Sequence, residues 1–373
     1  MRRSYLIFLS IFSAIHFSLT GYVALRLAEQ PWHWAVIGIF AALLWSLPIV
    51  HWRRSEEPSH SPVKEAFQIG SLLSMAILSW LLVLTIARDL ALLSTYIVLE
   101  RETRLLEFWN GTATIGAAFL LTLVGALRAF NGPHVKTVKI STGNSRIQDF
   151  RIVQITDLHV GPTIGRKYVQ RVVDLVATLD PHVTVLTGDI IDGPFERHRA
   201  SVEPFADLLP KGGVFYSPGN HEYYHRLDQW MPIFEEMGAK ILLNRGESVK
   251  HGNGSVWVGG ITDPAAAQMN LGEAPDVLKA FGSGADDSFR ILLSHRPGFA
   301  EDASKAGFDL QLSGHTHGGQ FFPWTYVARL FHRYLLGLFK HGDMWLYVGP
   351  GTGTWGPPAR LGTTPEITLI HLS

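Results

Sequence analysis

The sequence predicts an α/β domain preceded by an all-α membrane region with four transmembrane helices. Apolar residues are concentrated before about residue 131, in stretches long enough to cross a bilayer. From about Val135 onwards, short β-branched runs alternate with amphipathic stretches, which is typical of layered α/β architecture. These patterns divide the chain into a transmembrane region, residues 1–132, and a C-terminal domain, residues 150–373.

The composition limits the classes of protein to consider. The 373 residues are enough for two domains, at about 100–200 residues each. The formal net charge is +0, without the basic footprint of a nucleic-acid-binding protein, so we expect no nucleic-acid partner. The chain contains no cysteine, which excludes disulfides, thiolate zinc sites and cysteine nucleophiles.

Four stretches in the first third are candidates for membrane spans. They cover about residues 5–25, 33–50, 67–86 and 112–129, and each is nearly free of charge. A helix of about 20 residues crosses the ~30 Å hydrocarbon core of a bilayer. Four tryptophans near the span ends suit the membrane interface: Trp32, Trp34, Trp52 and Trp109. The lipid bilayer is therefore a predicted partner, in preference to a buried helical bundle.

The distribution of basic residues predicts the orientation of these spans. One set of basic residues lies before the first span, between the second and third spans, or after the fourth span: Arg2, Arg3, Arg53, Arg54, Lys64, Arg128, Lys136, Lys139 and Arg146. The loops on the other side are poorer in basic charge or carry compensating acids. The positive-inside rule places both termini in the cytoplasm. Residues 91–99 are also apolar, and an additional span there would put the C-terminal domain outside.

Beyond the spans, strand and helix patterns alternate. Strands are predicted at residues 150–155, 183–186, 213–216, 255–258, 290–293, 310–312, 345–348 and 366–371, and a helix at 168–179. The helix has apolar residues at helical spacing, from Val169 to Val176. Alternation of this kind predicts sheets with helices packed against them.

Carboxylate, amide and imidazole side chains follow five of these strands. The fragments are Asp157-Leu158-His159, Gly188-Asp189, Gly219-Asn220-His221-Glu222, His295 and Gly314-His315-Thr316-His317. Each lies just past the carboxyl end of a strand, where open α/β sheets place their binding sites. We therefore expect the five fragments to form one metal site. The remaining histidines, including His198, His225 and His332, lack this context and are interpreted as ordinary surface or core residues.

The chemistry of this ligand set indicates a two-metal hydrolase. Carboxylate oxygens suit hard divalent ions, and imidazole nitrogens extend the choice to Mn²⁺, Fe, Zn²⁺ or Co²⁺. Two ions about 3.5–4 Å apart, bridged by a carboxylate, lower the pKa of bound water and neutralise charge on a phosphoryl group. The predicted cofactors are two divalent metal ions, with Mn²⁺ preferred.

The ordered motifs D-x-H, G-D-x-x-D, G-N-H-E, H and G-H-x-H resemble those of the calcineurin-like metallophosphoesterases over about residues 150–373. The resemblance implies a four-layer α/β/β/α sandwich and in-line attack on phosphorus by a hydroxide activated between two metals. It implies that Asp157, His159 and His317 bind one metal, and that Asn220, His295 and His315 bind the other. Asp189 would then bridge the two metals. His221 would act on the leaving oxygen, oriented by Asp192.

One departure from the phosphoprotein phosphatases of this family bears on the substrate. Gly193 follows Asp192 where those enzymes have a phosphate-binding arginine, which argues against a phosphoprotein substrate. The C-terminal motifs, from Gly314 to Gln320, Gly351 to Gly353 and Pro365 to Thr368, resemble the bacterial membrane-associated branch of the family. That branch includes UDP-2,3-diacylglucosamine pyrophosphatases of lipid A synthesis. The resemblance implies a bacterial inner-membrane protein, and the positive-inside rule places its catalytic domain in the cytoplasm.

The segment after His317 supplies a separate prediction about the substrate. Apolar residues recur at helical spacing over residues 321–340, with basic residues on other faces. This pattern predicts an amphipathic helix that binds a membrane surface and shelters acyl chains, or else a helix that packs on the core.

Three functions follow from these observations. The first is a membrane-bound phosphodiesterase or pyrophosphatase acting on a lipid-linked phosphate. The second is a membrane-anchored phosphodiesterase for soluble nucleotides or general phosphodiesters. The third is a membrane scaffold or transporter with a metal-sensing domain; the complete ligand set with the His221–Asp192 pair argues against it, as does the lack of buried acids in the spans.

Overall fold

The computed structural model describes residues 2–53, 62–99, 110–143, 147–282 and 288–373. The chain divides into two compact units. The N-terminal unit contains residues 1–127 with 356–359, and the C-terminal unit contains residues 128–355 with 360–373.

The N-terminal unit is helical. Its helices are α1 (Arg2–Leu27), α2 (Pro31–Arg53), α3 (Pro62–Leu99) and α4 (Gly111–Asn131). Among the described residues, three helical stretches are long and apolar enough to cross a membrane: Leu6–Leu27, Ala66–Ile97 and Gly111–Asn131. The apolar part of α2, Pro31–Leu47, is shorter. Length and composition therefore support three of the four expected spans.

The third helix differs from its prediction. The expected span ended at residue 86, whereas α3 continues to Leu99, so residues 91–99 extend this helix and form no separate span. The chain has no glycine or proline between residues 87 and 99 to end the helix. Asp89, which follows the end of the expected span, lies within α3, where it accepts hydrogen bonds from Tyr22 at 2.7 Å and from Arg26 at 2.7 and 2.9 Å. Arg54, Trp109 and Arg146, which entered the predictions above, lie outside the described residues.

Among the described residues of the C-terminal unit, twelve strands form two six-stranded sheets. The strands are β1 (His134–Ile140), β2 (Phe150–Ile155), β3 (Val183–Leu186), β4 (Val214–Tyr216), β5 (Ala239–Ile241), β6 (Arg245–His251), β7 (Gly254–Gly260), β8 (Phe289–Leu293), β9 (Leu310–Ser313), β10 (Gly337–His341), β11 (Met344–Val348) and β12 (Glu366–Leu372). The first sheet has the order β1-β12-β2-β3-β4-β5, and the second has the order β10-β11-β9-β8-β7-β6. Both sheets mix parallel and antiparallel neighbours. The first sheet begins with β1, which lies before residue 150, where the sequence placed the start of the domain.

The helices of this unit are shorter. They are α5 (Arg166–Thr178), α6 (Phe195–Val202), α7 (Asn220–Tyr224), α8 (Leu227–Glu236), α9 (Ala265–Gln268), α10 (Val277–Phe281), α11 (Ala300–Ala306) and α12 (Trp324–Val327). The predicted helix at residues 168–179 corresponds to α5, whose apolar face from Tyr168 to Val176 is buried.

Three of the buried clusters among the described residues connect the sheets and helices. The first lies between the sheets and combines residues such as Ile152 and Phe215 of one sheet with Val258 and Leu312 of the other. The second packs helices α5, α6 and α8 against the first sheet, and the third packs α10 and α11 against the second. Burial of these apolar side chains is the main force that fixes the two sheets face to face.

The prediction of a helix over residues 321–340 is wrong. Helix α12 has four residues, residues 328–330 form one turn of 3-10 helix, and residues 337–341 form strand β10. Gly337, at φ +103°, begins the strand, whose backbone pairs with β11. The apolar spacing matched a helical period, but the pairing of residues 337–341 with β11 overrides this local pattern.

Candidate metal centre

The five fragments named above converge on one place in the C-terminal unit. They follow β2, β3 and β4 of the first sheet and β8 and β9 of the second. Three overlapping groups have ligand atoms within 4.8 Å of one another: Asp157, His159 and His317; His159, Asp189 and His221; and Asp189, His295 and His315. Asp189 and His159 each belong to two of these groups, and Asp189 Oδ2 lies 3.9 Å from His159 Nε2 and 3.1 Å from His295 Nε2.

The first cluster consists of Asp157, His159 and His317. The Nε2 atoms of the two histidines are 3.0 Å apart, and His317 Nε2 lies 3.4 Å from Asp157 Oδ1. All three side chains are buried. The buried Arg360 donates to the carbonyl of His317 at 3.0 Å and places its guanidinium 3.1 Å from His317 Nδ1, so it fixes the position of that ring.

The second cluster consists of Asp189, His295 and His315. Asn220, the remaining candidate ligand, is the first residue of α7. His295 Nε2 lies 3.1 Å from Asp189 Oδ2 and 3.2 Å from His315 Nδ1. The other ring nitrogen of His295 lies 2.9 Å from the carbonyl oxygen of Thr187, so it donates there. This hydrogen bond fixes the tautomer in which Nε2 faces the cluster, the arrangement found around histidines that bind metals.

Both clusters fit metal ions. Two nitrogens that bind one ion at about 2.0–2.1 Å lie about 3–3.4 Å apart, and the paired histidine nitrogens are 3.0 Å apart in the first cluster and 3.2 Å apart in the second. In the described part of the chain, Asn220 Oδ1 is buried and has no hydrogen-bond partner. An acceptor of this kind is satisfied by a cation.

The charges in the site agree with this interpretation. Burial lowers the pKa of His315 to about 3, helped by the charge of His295, and burial also holds the pKa of His317 well below its usual value. Neutral imidazole is the form that binds metals. Burial alone would also lower the pKa of His295, but the Asp189 carboxylate raises it to about 10. Asp189 therefore favours a positive charge at the position of His295 Nε2.

Five of the candidate ligands have positive φ angles, a backbone conformation that residues other than glycine rarely adopt. Asp157, His159, Asp189, His315 and His317 have φ angles of 49°, 55°, 52°, 70° and 51°. Such conformations cost about 1 kcal/mol or more each and occur mainly at functional sites, where surrounding contacts enforce them. Here the amide of Asp157 donates to Gly188 and that of His159 to Asp189, both at 3.0 Å. The amide of His315 donates to the Asp157 carboxylate at 2.9 and 3.0 Å.

Two glycines leave room for the carboxylates. A Cβ atom on Gly314 would lie 2.0 Å from Asp157 Oδ2, and one on Gly219 would lie 2.3 Å from Asp189 Oδ1. Neither distance allows a side chain. Glycine is therefore required at positions 314 and 219 because a carboxylate lies too close for a Cβ atom. At position 188 glycine is favoured for a different reason, its positive φ of 85°.

Glu222, which was not among the predicted site residues, accepts hydrogen bonds from the backbone of two loops that carry candidate ligands. One carboxylate oxygen accepts the backbone N–H of Asp189 at 2.9 Å and of Gly219 at 2.6 Å. The other accepts the N–H of Ile190 at 2.6 Å and of Ile191 at 3.3 Å. Glu222 thus joins the loop after β3 to the loop after β4.

A second carboxylate organises the histidines at the edge of the site. Asp192 Oδ1 lies 2.9 Å from His221 Nδ1 and 3.1 Å from His225 Nε2, and its Oδ2 lies 3.6 Å from His159 Nδ1. Burial alone would lower the pKa of His221, but the hydrogen bond to Asp192 and the charge of Asp189 raise it to about 9. His221 is therefore a protonated imidazole near neutral pH in this arrangement.

Two further histidines lie closer to the site than the sequence indicated. His225 was expected to be an ordinary residue, yet it shares Asp192 with His221. The ring of His332 has its centroid 6.1 Å from that of His315. The four-residue spacing from His221 to His225 on a short helix was a usable signal for the first; nothing local marked the second.

The structure also gives a physical reason for the glycine after Asp192. A Cβ atom on Gly193 would lie 2.4 Å from Cδ2 of His198. The imidazole of His198 therefore takes the space that a side chain at position 193 would need. An arginine at this position requires displacement of His198.

Comparison with known proteins agrees with this site. The family model of the calcineurin-like phosphoesterases matches residues 150–319. A transmembrane protein with metallophosphoesterase domain from Danio rerio is 34% identical over 263 residues, 68% of this chain and 60% of that protein. An uncharacterized metallophosphoesterase of Campylobacter jejuni is 32% identical over 65% of this chain and 64% of its own length.

This chain covers almost the full length of a third relative. The uncharacterized metallophosphoesterase of Aquifex aeolicus is 30% identical over 259 residues, which are 68% of this chain and 98% of that protein. By contrast, the chain spans about 60% of the length of the Danio rerio protein. The family model, these relatives and the clustered ligands agree, and the chain belongs to the calcineurin-like metallophosphoesterase family.

Proposed function

We propose that this chain is a membrane-bound, metal-dependent phosphohydrolase that cleaves phosphodiester or pyrophosphate bonds. The observation that carries the proposal is the pair of adjacent ligand clusters, in which Asp189 Oδ2 of the second lies 3.9 Å from His159 Nε2 of the first, with the His221–Asp192 pair beside them. The family to which the chain belongs and the four-layer arrangement expected of it support the same reaction class.

The proposed roles follow the two clusters. Asp157, His159 and His317 would hold one divalent ion. Asn220, His295 and His315 would hold the other, and Asp189 would contact both. With their mixed oxygen and nitrogen ligands, these sites suit Mn²⁺, and also Fe, Zn²⁺ or Co²⁺. When bound, two such ions supply the Lewis acidity that activates water and neutralises phosphoryl charge.

The protein's own residues would then direct the reaction. His221 stands beside Asp189, which accepts its backbone N–H at 2.9 Å, and its imidazole carries a proton near neutral pH. It can donate that proton to the oxygen that leaves phosphorus. Asp192 accepts a hydrogen bond from Nδ1–H of the ring, so the proton on Nε2 is the one available for this step.

A lipid-linked substrate is favoured by an exposed apolar loop, residues 324–336. Trp324, Tyr326, Leu330 and Phe331 are exposed, Leu330 by 81% and Phe331 by 78%. Arg329 lies between them in the sequence, with its guanidinium over the ring of Tyr326. Aromatic, aliphatic and basic residues together suit contact with lipid chains and anionic headgroups.

This apolar loop is attached to the candidate metal centre. The hydroxyl of Thr316, between His315 and His317, donates to the carbonyl of Leu335 at 2.5 Å. The ring of His332 lies near that of His315. Acyl chains held by the apolar loop would therefore lie close to a phosphate at the metals. UDP-2,3-diacylglucosamine is an example of a substrate with this chemistry.

The proposal extends to location. The described residues of the N-terminal unit contain three helical stretches of membrane length, and the Danio rerio relative carries the name transmembrane protein. We propose four spans, including α2, in a bacterial inner membrane, with both termini and the C-terminal unit on the cytoplasmic side. The distribution of basic residues in the sequence supports this orientation.

The test compares two substrates with purified full-length protein and Mn²⁺ in detergent micelles. One is a diacylated UDP-sugar and the other is UDP-N-acetylglucosamine, which lacks the two long chains. We expect preference for the acylated substrate, and we expect Trp324→Ser with Phe331→Ser to raise KM for that substrate alone. Equal turnover of both and no effect of the replacements would support a phosphodiesterase for soluble nucleotides. Failure to hydrolyse any phosphate ester would support a non-enzymatic scaffold or transporter.

A further inference from the structure

Two aromatic side chains pack against His221 on the exposed side of the candidate site. The ring centroid of Tyr224 lies 5.4 Å from that of His221, and the centroid of Trp355 lies 6.1 Å away, both with an edge-on geometry. Tyr224 and Trp355 are each 52% exposed. Large aromatic rings that stay half exposed beside a reactive group are available to contact a ligand.

Both rings are fixed to the segments that carry the candidate ligands. Tyr224 ends the short helix α7, which begins with Asn220 and His221. The side-chain amide of Gln320 pairs with the backbone of Trp355: its Nε2 donates to the carbonyl and its Oε1 accepts the N–H, both at 2.9 Å. Because Gln320 follows His317 by three residues, the position of Trp355 depends on the loop that carries the metal ligands.

We propose that Tyr224 and Trp355 form a subsite for the leaving group of the substrate, and that this group carries a planar aromatic ring such as a nucleobase. This inference rests on the proposed function, because it takes His221 as the donor of a proton to the leaving oxygen. A group that leaves from beside His221 must lie next to the two rings that flank it.

The chemistry of the two surfaces near the site differs. The apolar loop offers flexible aliphatic and aromatic side chains together with arginine, which suits acyl chains. Tyr224 and Trp355 offer rigid aromatic rings, on which a nucleobase stacks favourably. The substrate would thus be a diester of pyrophosphate, with its lipid on the phosphate that is attacked and its nucleoside on the phosphate that leaves.

The reaction balances as an ordinary hydrolysis. The oxygen of water forms a bond to the attacked phosphorus, and the bond between that phosphorus and the bridging oxygen breaks. The bridging oxygen leaves with the nucleoside phosphate and takes a proton from His221. The proton released by the attacking water restores the protonation of the site through solvent.

The experiment follows isotope incorporation with an asymmetric substrate. Phenyl methyl pyrophosphate, with a phenyl ester on one phosphate and a methyl ester on the other, is hydrolysed by full-length protein with Mn²⁺ in heavy-oxygen water. Mass spectrometry then shows which product received the oxygen of water. We expect the label in methyl phosphate over phenyl phosphate by about tenfold, the size of effect that stacking of one ring supports.

Variants separate a leaving-group subsite from simple shielding of His221. Tyr224→Ala with Trp355→Ala is expected to shift the label towards an equal distribution, and to lose more rate on this substrate than on dimethyl pyrophosphate. Tyr224→Phe with Trp355→Phe should keep the preference, because both replacements retain a ring. Leu209→Ala removes another exposed apolar side chain and serves as the surface control.

The outcomes are distinct. An unchanged label distribution in the double alanine variant, or equal losses of rate on the two substrates, would overturn the inference and leave the proposed hydrolysis intact. If the wild-type protein hydrolyses neither pyrophosphate, the proposed function itself is contradicted, and the leaving-group subsite with it.

Discussion

The imidazole Nδ1 of His221 lies 2.9 Å from Oδ1 of Asp192, and this contact couples the edge of the site to its centre. The other oxygen of Asp192 faces His159, a candidate metal ligand, at 3.6 Å. One carboxylate therefore orients the proposed proton donor and also lies beside a ring of the first cluster. Residues that hold ligands in this way affect activity without contacting the substrate.

The first prediction concerns this carboxylate. Asp192→Asn should lower kcat by about 10–100-fold, because His221 loses its orientation and the charge that favours its protonated form. The pKa of His221, raised to about 9, should fall, so the alkaline limb of the pH–rate profile should move to lower pH. Asp228→Asn removes an exposed carboxylate elsewhere and should leave the profile in place. An unshifted alkaline limb in Asp192→Asn would exclude His221 as the proton donor.

The second prediction concerns the support beneath the centre. Glu222→Gln should destabilise the C-terminal unit by about 1–3 kcal/mol, because the amide NH₂ replaces one of two oxygens that accept buried backbone N–H groups. Thermal unfolding in detergent, with and without Mn²⁺, measures the loss. Glu301→Gln alters an exposed glutamate paired with Lys305 and is the matched control. Unfolding temperatures equal to wild type would show that these hydrogen bonds do not stabilise the loops.

A third prediction uses the space at a glycine. Gly314→Ala should reduce metal binding strongly, since its Cβ would meet Asp157 Oδ2 at 2.0 Å. Gly298→Ala is the control, because no atom lies within 4 Å of a Cβ there. Metal content after gel filtration, together with circular dichroism, distinguishes loss of the site from loss of the fold. Wild-type metal content in Gly314→Ala would contradict the placement of Asp157.

The orientation in the membrane gives a fourth prediction. Fusion of green fluorescent protein to the C terminus should fluoresce in bacteria, whereas fusion of alkaline phosphatase at the same point should be inactive. The reason is the excess of basic residues on the side of both termini. Active alkaline phosphatase at the C terminus would place the C-terminal unit outside the cytoplasm and change the substrates available to it.

Much of the candidate site could be predicted from the sequence because its ligands follow strands in a regular way. His295 and His315 are far from Asp189 in sequence, but His295 Nε2 lies 3.1 Å from Asp189 Oδ2 and 3.2 Å from His315 Nδ1. The strand pattern encodes the part of this convergence that lies within each sheet, since parallel strands in a sheet end at one edge. The packing of the two sheets then brings the end of β3 to the ends of β8 and β9.

Other features depend on tertiary contacts that local patterns do not encode. Apolar residues from Trp324 to Leu338 have helical spacing, yet pairing with β11 makes residues 337–341 a strand. Asp89 is a charged residue beyond the expected span, yet it lies within α3, where Tyr22 and Arg26 donate hydrogen bonds to its carboxylate. The ring of His332 lies near that of His315, and the apolar loop that carries His332 is joined to Thr316 by the hydrogen bond to the carbonyl of Leu335.

The central claim is that two divalent ions, joined by Asp189, carry out hydrolysis of a phosphate ester. The most direct test measures bound metal and turnover of bis(p-nitrophenyl) phosphate in wild type and Asp189→Asn, each purified in detergent and supplied with Mn²⁺. We predict two ions per chain and turnover in wild type, with fewer ions and at least about a thousandfold lower kcat in the variant. Both proteins should be recovered equally from membranes. Turnover in Asp189→Asn close to that of wild type would contradict the account.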